Sequence, residues 1–282
     1  MSTVINNSDI NVNTSTFSAG EVHVQLEGLS KQQPKSLQLK ACIRSSDDLM
    51  ELMLVHNALI NHYGQQLVID LEIPYFPYAR QDRVCAVGQA FSLQVIATML
   101  NSLKVNSLTT WDAHSPVTKK LTRAINISQE EIIASNQNLV SQLKDRNTIL
   151  VCPDKGAIDK CQAVKDKFSV SKIIHSVKTR NPKTGVIIDT QIKASDLSGK
   201  TAVIIDDICD GGRTFIEIAK KLKERNIKRV VLYVTHGIFS KGLEVFDGLI
   251  DEIYTSNSFP QKENPKLNVI DFSATANRRR AK

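Results

Sequence analysis

The chain has 282 residues, 41% of them hydrophobic, and a formal net charge of +7 at pH 7, so it is long and apolar enough for one large or two ordinary globular domains. Five widely spaced cysteines without a Cys-x-x-Cys pair argue against a disulfide scaffold or zinc framework, no stretch nears a membrane span, and a single Trp leaves little for stacking single-stranded nucleic acid. The expected setting is soluble, reducing and cytoplasmic, with small anionic partners and neither nucleic acid nor membrane.

Residues 1–16 are Ser/Asn/Thr-rich, lack an apolar signal core and read as a loose polar arm. After Phe17, the alternation of Val22, Val24 and Leu26 predicts a strand, and Leu37–Ile43 a second. Ser45, Ser46, Asp47 and Asp48 are cap candidates for a helix whose apolar stripe is Leu49, Leu52, Met53, Leu59 and Ile60, ending near Gly64. A strand at Leu67–Ile73, a long polar loop from Pro74 to Gly88, and a helix marked by Leu93, Ile96, Leu100 and Leu103 follow. Short apolar runs at Ser107–Trp111, Thr148–Cys152, Lys172–Val177, Ala202–Ile205 and Arg229–Val234 alternate with helical patterns. That alternation predicts an α/β fold of parallel βαβ units. The polar stretch around Ser128–Asn138 divides two halves of similar grammar, giving expected domains 1–132 and 133–282. The one basic run, Arg278-Arg279-Arg280-Ala281-Lys282, reads as an exposed tail.

The chemistry gathers at strand ends. In residues 203–214 an apolar strand delivers Asp206 and Asp207, and Asp210-Gly211-Gly212-Arg213-Thr214 then leads into an amphipathic helix carrying Phe215, Ile218, Ala219 and Leu222. Carboxylates can accept bonds from sugar hydroxyls, while a glycine turn and a helix N-terminus present N–H groups to a phosphate. A solvated acidic turn with an Asp cap is the plain alternative. Earlier, Arg80, Gln81, Asp82 and Arg83 offer planar forks and an amide suited to phosphates or a base, or else form a solvated charge cluster. His114 after Trp111-Asp112, the turn Pro153-Asp154-Lys155-Gly156, and the basic segment Lys178-Thr179-Arg180 before Asn181-Pro182-Lys183-Thr184-Gly185 complete the set. Each has an ordinary structural reading when taken alone.

Together these strings resemble the ribose-phosphate pyrophosphokinases, or phosphoribosyl pyrophosphate synthetases, from Phe17 to Phe272. Tyr78-Ala79-Arg80-Gln81-Asp82 matches the family's adenine-site string, Ser46 to Leu52 its NDNLMEL-type segment, and Phe17 to Glu21 its FSNxE segment. Asp112-Ala113-His114 stands at its DLH motif, Pro153 to Gly156 at its SPDxGG turn, Lys178/Arg180 at its K-x-R loop, and residues 205–214 at its VDDxxDTGGT loop. The chain departs at Val84–Gly88, at Ser115-Pro116-Val117-Thr118, and at Ala157, Gly211 and Arg213. Arg213 either adds a phosphate contact or crowds the loop.

The resemblance implies two related parallel-sheet domains of type I phosphoribosyltransferase-like topology. It further implies transfer of the diphosphoryl group of Mg-ATP to the 1-hydroxyl of ribose 5-phosphate, giving phosphoribosyl pyrophosphate and AMP for nucleotide or NAD biosynthesis. Phe17, Glu21, Arg80, Gln81 and His114 are then expected at ATP, and Asp206, Asp207 and residues 210–214 at ribose 5-phosphate. His114 and Asp154 are expected at Mg²⁺, and Lys178 and Arg180 as the catalytic clamp. A homo-oligomer with the ATP site near a subunit interface follows from the family's use of the Phe and Glu across subunits. A type I phosphoribosyltransferase and a non-catalytic, synthetase-like regulatory subunit are the rival readings.

Overall fold

A computed structural model of the chain describes residues 2–6, 8–180, 187–192 and 196–273, the side chains of 177–180 and 187–190 excepted. The segment from Asn181 to Gly185 and the basic run from Arg278 to Lys282 lie outside the described residues. Contacts divide the chain into two units, residues 1–127 and 128–282.

The first unit runs β1 (Thr3–Asn6), β2 (Asn11–Thr16), β3 (Val22–Glu27), β4 (Leu37–Ala41), α1 (Ser46–Tyr63), β5 (Ile69–Ile73), α2 (Ser92–Ser102), β6 (Ser107–Trp111), α3 (Pro116–Thr122) and β7 (Ile125–Ile127). Its sheet has the order β1-β4-β5-β6-β7, with β1 antiparallel and the others parallel. Strands β2 and β3 form a separate hairpin. Helix α1 starts where its capping signal stands: the Ser45 hydroxyl accepts from Asp48 N (3.1 Å), and the Asp48 carboxylate accepts from Ser45 N (2.8 Å). It ends at Gly64, whose φ of 87° closes the last turn. Leu49, Leu52, Val55 and Leu59 bury the stripe between.

The loose arm expected for residues 1–16 is corrected: the segment is built into the sheet and the hairpin. Ile5, Ile10 and Val12 are buried, and buried Glu51 on α1 accepts hydrogen bonds from Ser2 N (2.9 Å), Ser2 Oγ (3.0 Å), Thr3 N (2.8 Å) and Thr14 Oγ1 (3.0 Å). Apolar residues spaced among polar ones, together with one distant carboxylate, fasten what the local composition leaves loose.

The second unit runs α4 (Gln129–Ile133), α5 (Gln137–Lys144), β8 (Thr148–Cys152), α6 (Ile158–Phe168), β9 (Ile173–Arg180), β10 (Ile187–Ile192), β11 (Thr201–Cys209), α7 (Arg213–Lys223), β12 (Arg229–Gly237), β13 (Glu252–Ser256) and β14 (Leu267–Ile270). Its sheet order is β10-β9-β8-β11-β12-β13-β14, all parallel except β10. Residues 148–152, 202–205 and 230–234 are buried throughout, as strands covered on both faces must be. Helix α4, at the expected boundary, joins the second unit because the Gln129 side chain donates to the Asp206 carbonyl (2.8 Å).

Glu51 sets a test of the first unit. Burial pushes its carboxyl up, but the Thr3 and Ser2 N–H groups and the Ser2 and Thr14 hydroxyls outweigh burial and hold it below the ordinary glutamate value. Because the folded pKa is the depressed one, the stabilisation is present above the unfolded pKa of about 4.3 and is lost as pH falls through the folded value. Glu51→Ala should therefore cost about 1.5–3 kcal/mol near neutrality and remove that acid limb. Urea unfolding from pH 3 to 7 measures both.

Candidate active site

In the first unit, β5 and β6 lie side by side, with Ile73 paired to Thr110, so the loops leaving their carboxyl ends are neighbours. Trp111 N donates to Pro74 O (3.0 Å) and Thr110 Oγ1 to the same carbonyl (3.3 Å), which pins the start of the long loop. Buried Phe76 and Ala79 anchor it further and leave Tyr78 and Arg80 exposed between and beyond them. Gln81 is held through Gln81 N to Tyr78 O (2.9 Å), and the Ser92 hydroxyl at the start of α2 donates to its Oε1 (2.6 Å), which leaves the Gln81 NH₂ as a donor. On the other loop, Asp112 N donates to Ile127 O (2.7 Å), and Ala113 N to Asn126 Oδ1 (2.8 Å). Exposed His114 follows.

Arg80, Gln81, Asp82, Arg83, Gln89 and His114 line one pocket of about 560 Å³. The structure thus brings together three residues expected at ATP: Arg80, Gln81 and His114. Gln89, which the sequence did not single out, accepts from the N–H groups of Cys85 (3.0 Å) and Ala86 (3.1 Å), and so shapes the segment where the chain departs from its resemblance. Phe17 and Glu21 do not line this pocket. They stand exposed at the turn between β2 and β3, closed by Phe17 N to Glu21 O (2.9 Å), with Phe17 57% exposed and its ring 5.3 Å from that of His23.

In the second unit the chain leaves β8 toward β9 on one side, while β11 continues to β12 on the other. Such a reversal opens a crevice at the carboxyl ends of the two strands where it occurs, here β8 and β11. Those ends carry Asp154 and the pair Asp206/Asp207. Asp154 accepts from Gly156 N (3.0 Å). Lys160 on α6 donates to Asp207 Oδ2 (2.9 Å) in a mostly buried ion pair, and Asp207 N donates to Asp206 Oδ1 (2.9 Å). Burial, then the charges of Asp207 and Asp154, push the Asp206 carboxyl well above the ordinary carboxylate range, against its bond from Asp207 N–H and the nearby Lys160. A cation or hydroxyl donors brought to this corner would favour the ionised form.

The following loop is shaped for its glycine. Gly212 has a φ of +75°, and a Cβ there would lie 2.6 Å from Cζ of buried Phe246. It begins α7 without a side-chain cap. Arg213 is exposed and Gly211 and Thr214 half-buried, while Asp210 accepts from the Ser240 hydroxyl (2.5 Å). Lys160, Gln129 and Ser240 all escaped the sequence reading; Thr235-His236-Gly237 before Ser240 repeats the same pattern of an apolar strand running into polar residues, and was legible on that ground.

Lys178 and Arg180 lie on β9, opposite Thr190 and Ile187 of β10. The sequence placed a strand end before them; the structure runs β9 through Arg180, because pairing with β10 supplies partners that no local pattern announces. Among the described residues, no group of three or more His, Cys, Asp or Glu is arranged to hold a metal ion by itself. Mg²⁺ ordinarily takes one or two protein carboxylates and completes its shell with phosphate and water, so the donors present at Asp154 and Asp206/Asp207 fit such an ion.

Comparison with known proteins covers both units. Residues 2–103 match the model of the N-terminal domain of ribose phosphate pyrophosphokinase, and residues 122–259 that of the phosphoribosyl transferase domain. The match thus begins well before Phe17, where the resemblance read from motifs began. A ribose-phosphate pyrophosphokinase of Ralstonia nicotianae is 31% identical over 88% of this chain and 78% of its own length. One of Pyrococcus abyssi is 30% identical over 93% and 89%. The crystal structure of a phosphoribosylpyrophosphate synthetase from Mycobacterium smegmatis superposes with a TM-score of 0.78 at 20% identity, covering 92% of this chain and 85% of that one, which shows a shared fold.

The two loop glycines differ in what they tolerate. Gly212→Ala should lower stability by about 1–3 kcal/mol from backbone strain alone, with more from Phe246. Gly211→Ala, whose Cβ meets only the flexible Lys241 stem at 3.4 Å, should change it by less than about 0.5 kcal/mol. Denaturant unfolding of the two variants checks the contrast.

Proposed function

The chain belongs to the ribose-phosphate pyrophosphokinase family, and we propose that it transfers the diphosphoryl group of Mg-ATP to the 1-hydroxyl of ribose 5-phosphate, releasing phosphoribosyl pyrophosphate and AMP. One observation carries this reading: Asp206 and Asp207 stand beside a glycine loop and helix N-terminus at the crevice between β8 and β11. That is an arrangement for a phosphorylated sugar with free hydroxyls. The pocket holding Arg80, Gln81 and His114 supports a nucleotide as the other substrate. Residues 2–103, which match the pyrophosphokinase N-terminal domain, favour this reading over a phosphoribosyltransferase.

The 1-hydroxyl oxygen attacks the β-phosphorus and gives up its proton to solvent, the bond from that phosphorus to the α-phosphate oxygen breaks, and AMP leaves. Such transfers depend on alignment and on charge held in fixed places. Asp206 and Asp207 accept hydrogen bonds from the ribose hydroxyls, with Lys160 paired to Asp207 and holding it in place. Residues 210–214 hold the 5-phosphate through backbone N–H groups and the start of α7. Arg80 lies against the base or phosphates, and the Gln81 NH₂, set by Ser92, donates to the base edge. Within the second unit Asp154, with Asp206 and Asp207, would help hold Mg²⁺, and within the first unit His114 would contribute to Mg²⁺ accompanying the nucleotide; the ion would neutralise phosphate charge. Lys178 and Arg180 on β9 steady the moving diphosphoryl group.

Exposed Phe17 and Glu21, outside the Arg80 pocket, support a homo-oligomer in which the hairpin tip serves a neighbour's nucleotide. No helix among the described residues is long and apolar enough to cross a membrane; a cytoplasmic setting is part of the same proposal. The product suits nucleotide or NAD biosynthesis.

Incubation of the protein with ribose 5-phosphate, Mg²⁺ and ATP should yield AMP and phosphoribosyl pyrophosphate in equal amounts; formation of ADP, or no turnover, would overturn the assignment. Lys178→Ala should lower kcat by about 10²–10³-fold, the ordinary cost of losing one preorganised donor to transition-state charge. Full activity in that variant would remove Lys178 from the clamp while leaving the reaction intact.

A further inference from the structure

The loop that follows β12 is locked against the glycine loop that follows β11. Ile238 N and Phe239 N both donate to Cys209 O (2.9 and 3.1 Å), and the Ser240 hydroxyl donates to Asp210 Oδ1 (2.5 Å). Phe239 takes a left-handed φ of 47°, and its ring packs edge-on to Phe246 at 6.4 Å between centroids. Phe246 is the side chain beneath Gly212. The next residue after Ser240 is therefore delivered to the cradle by a rigid, doubly anchored turn. That residue is Lys241.

Its stem runs across the open face of Gly211: Cε, Cδ and Cγ lie 3.4, 3.5 and 3.7 Å from where a Cβ would stand. A methyl at residue 211 would meet the stem in ordinary van der Waals contact, whereas a longer side chain would compete with it for the same space. The ammonium sits one bond beyond Cε, on an exposed residue, and among the described residues it makes no ion pair. Of the nearby acidic groups, Asp207 is engaged by Lys160 and Asp210 by Ser240, while Glu244, whose Oε2 lies over Gly242, makes no ion pair with Lys241. A positive charge held at the phosphate loop, beside partners already taken, suits an anion from solution.

We propose that Lys241 is a binding and specificity-determining residue for the 5-phosphate, adding a charge to the cradle formed by residues 210–214. Its target is the dianionic phosphate monoester of the sugar, which separates ribose 5-phosphate from unphosphorylated pentoses. The inference rests on the reading that residues 206–214 hold ribose 5-phosphate.

Isothermal titration of the full chain with ribose 5-phosphate tests it. Lys241→Gln should weaken binding about tenfold or more and flatten its dependence on salt, while Lys241→Arg restores affinity to within about threefold. Affinity for ATP and the thermal unfolding midpoint should not move, which separates a phosphate contact from a packing role. If wild type binds and Lys241→Gln binds equally well, Lys241 has no such role and the functional reading stands. If wild type does not bind ribose 5-phosphate, the functional reading fails and takes the inference with it. A parallel loss of ATP affinity or of stability in Lys241→Gln also overturns the proposal.

Discussion

Crowding of negative charge at the carboxyl ends of β8 and β11 is the constraint around which the second unit is arranged. Asp207 is buried and Asp154 and Asp206 half-buried, and burial together with the charges of Asp207 and Asp154 pushes the Asp206 carboxyl up. The surrounding elements answer it one contact at a time. Helix α6 reaches in with Lys160, α4 ties the Asp206 carbonyl through Gln129, and the Asp207 N–H turns back on the Asp206 carboxylate. Carboxylates gathered this closely repel one another, and each contact that hydrogen-bonds or pairs with them offsets part of that repulsion.

The first unit holds its site in another way, by backbone strain rather than by charge. Most left-handed residues that are not glycine lie at or just past helix ends, as Arg123, Ser169 and Asn226 do. Tyr78, Asp112 and, in the second unit, Phe239 do not. Each stands in a loop at a strand's carboxyl end, shortly before Arg80, His114 and Ser240. Conformations that cost energy persist where neighbouring contacts overdetermine them, and here the contacts are buried anchors such as Phe76 and backbone bonds such as Asp112 N to Ile127 O. The side chains that follow are thereby aimed before any ligand arrives.

Much of this was legible in the chain itself. Strands β6 and β8 begin and end where alternation and apolar runs place them, and α1 starts at Ser45 and stops at Gly64 because cap and stop are local chemistry. The Arg80-Gln81 string, His114, Asp154 and Asp206 through Thr214 stood out because residue types and spacing carry their meaning without long-range context. The arm at residues 1–16 was misjudged for the opposite reason. Its composition is that of a disordered tail, and its order comes from Glu51 and from pairing with β4, neither of which is near it in sequence. The strand through Lys178 and Arg180 was likewise cut short, since its last residues are held by β10.

What the sequence determined by itself, then, is the order of most strands and helices, the caps, the family, and which residue types stand at the strand ends as candidates for phosphate, sugar or base. All of these depend on interactions within a few residues or on strings that carry a known chemistry. Only the tertiary structure decided which strand ends become neighbours. Strand order set β8 beside β11 and β11 beside β12, and that adjacency brought Asp154 near Asp206, Lys160 to Asp207, and Lys241 across Gly211. The physical reason is range: propensity and capping act along the chain, while Coulomb forces, hydrogen bonds and packing act through space between residues that sequence keeps far apart.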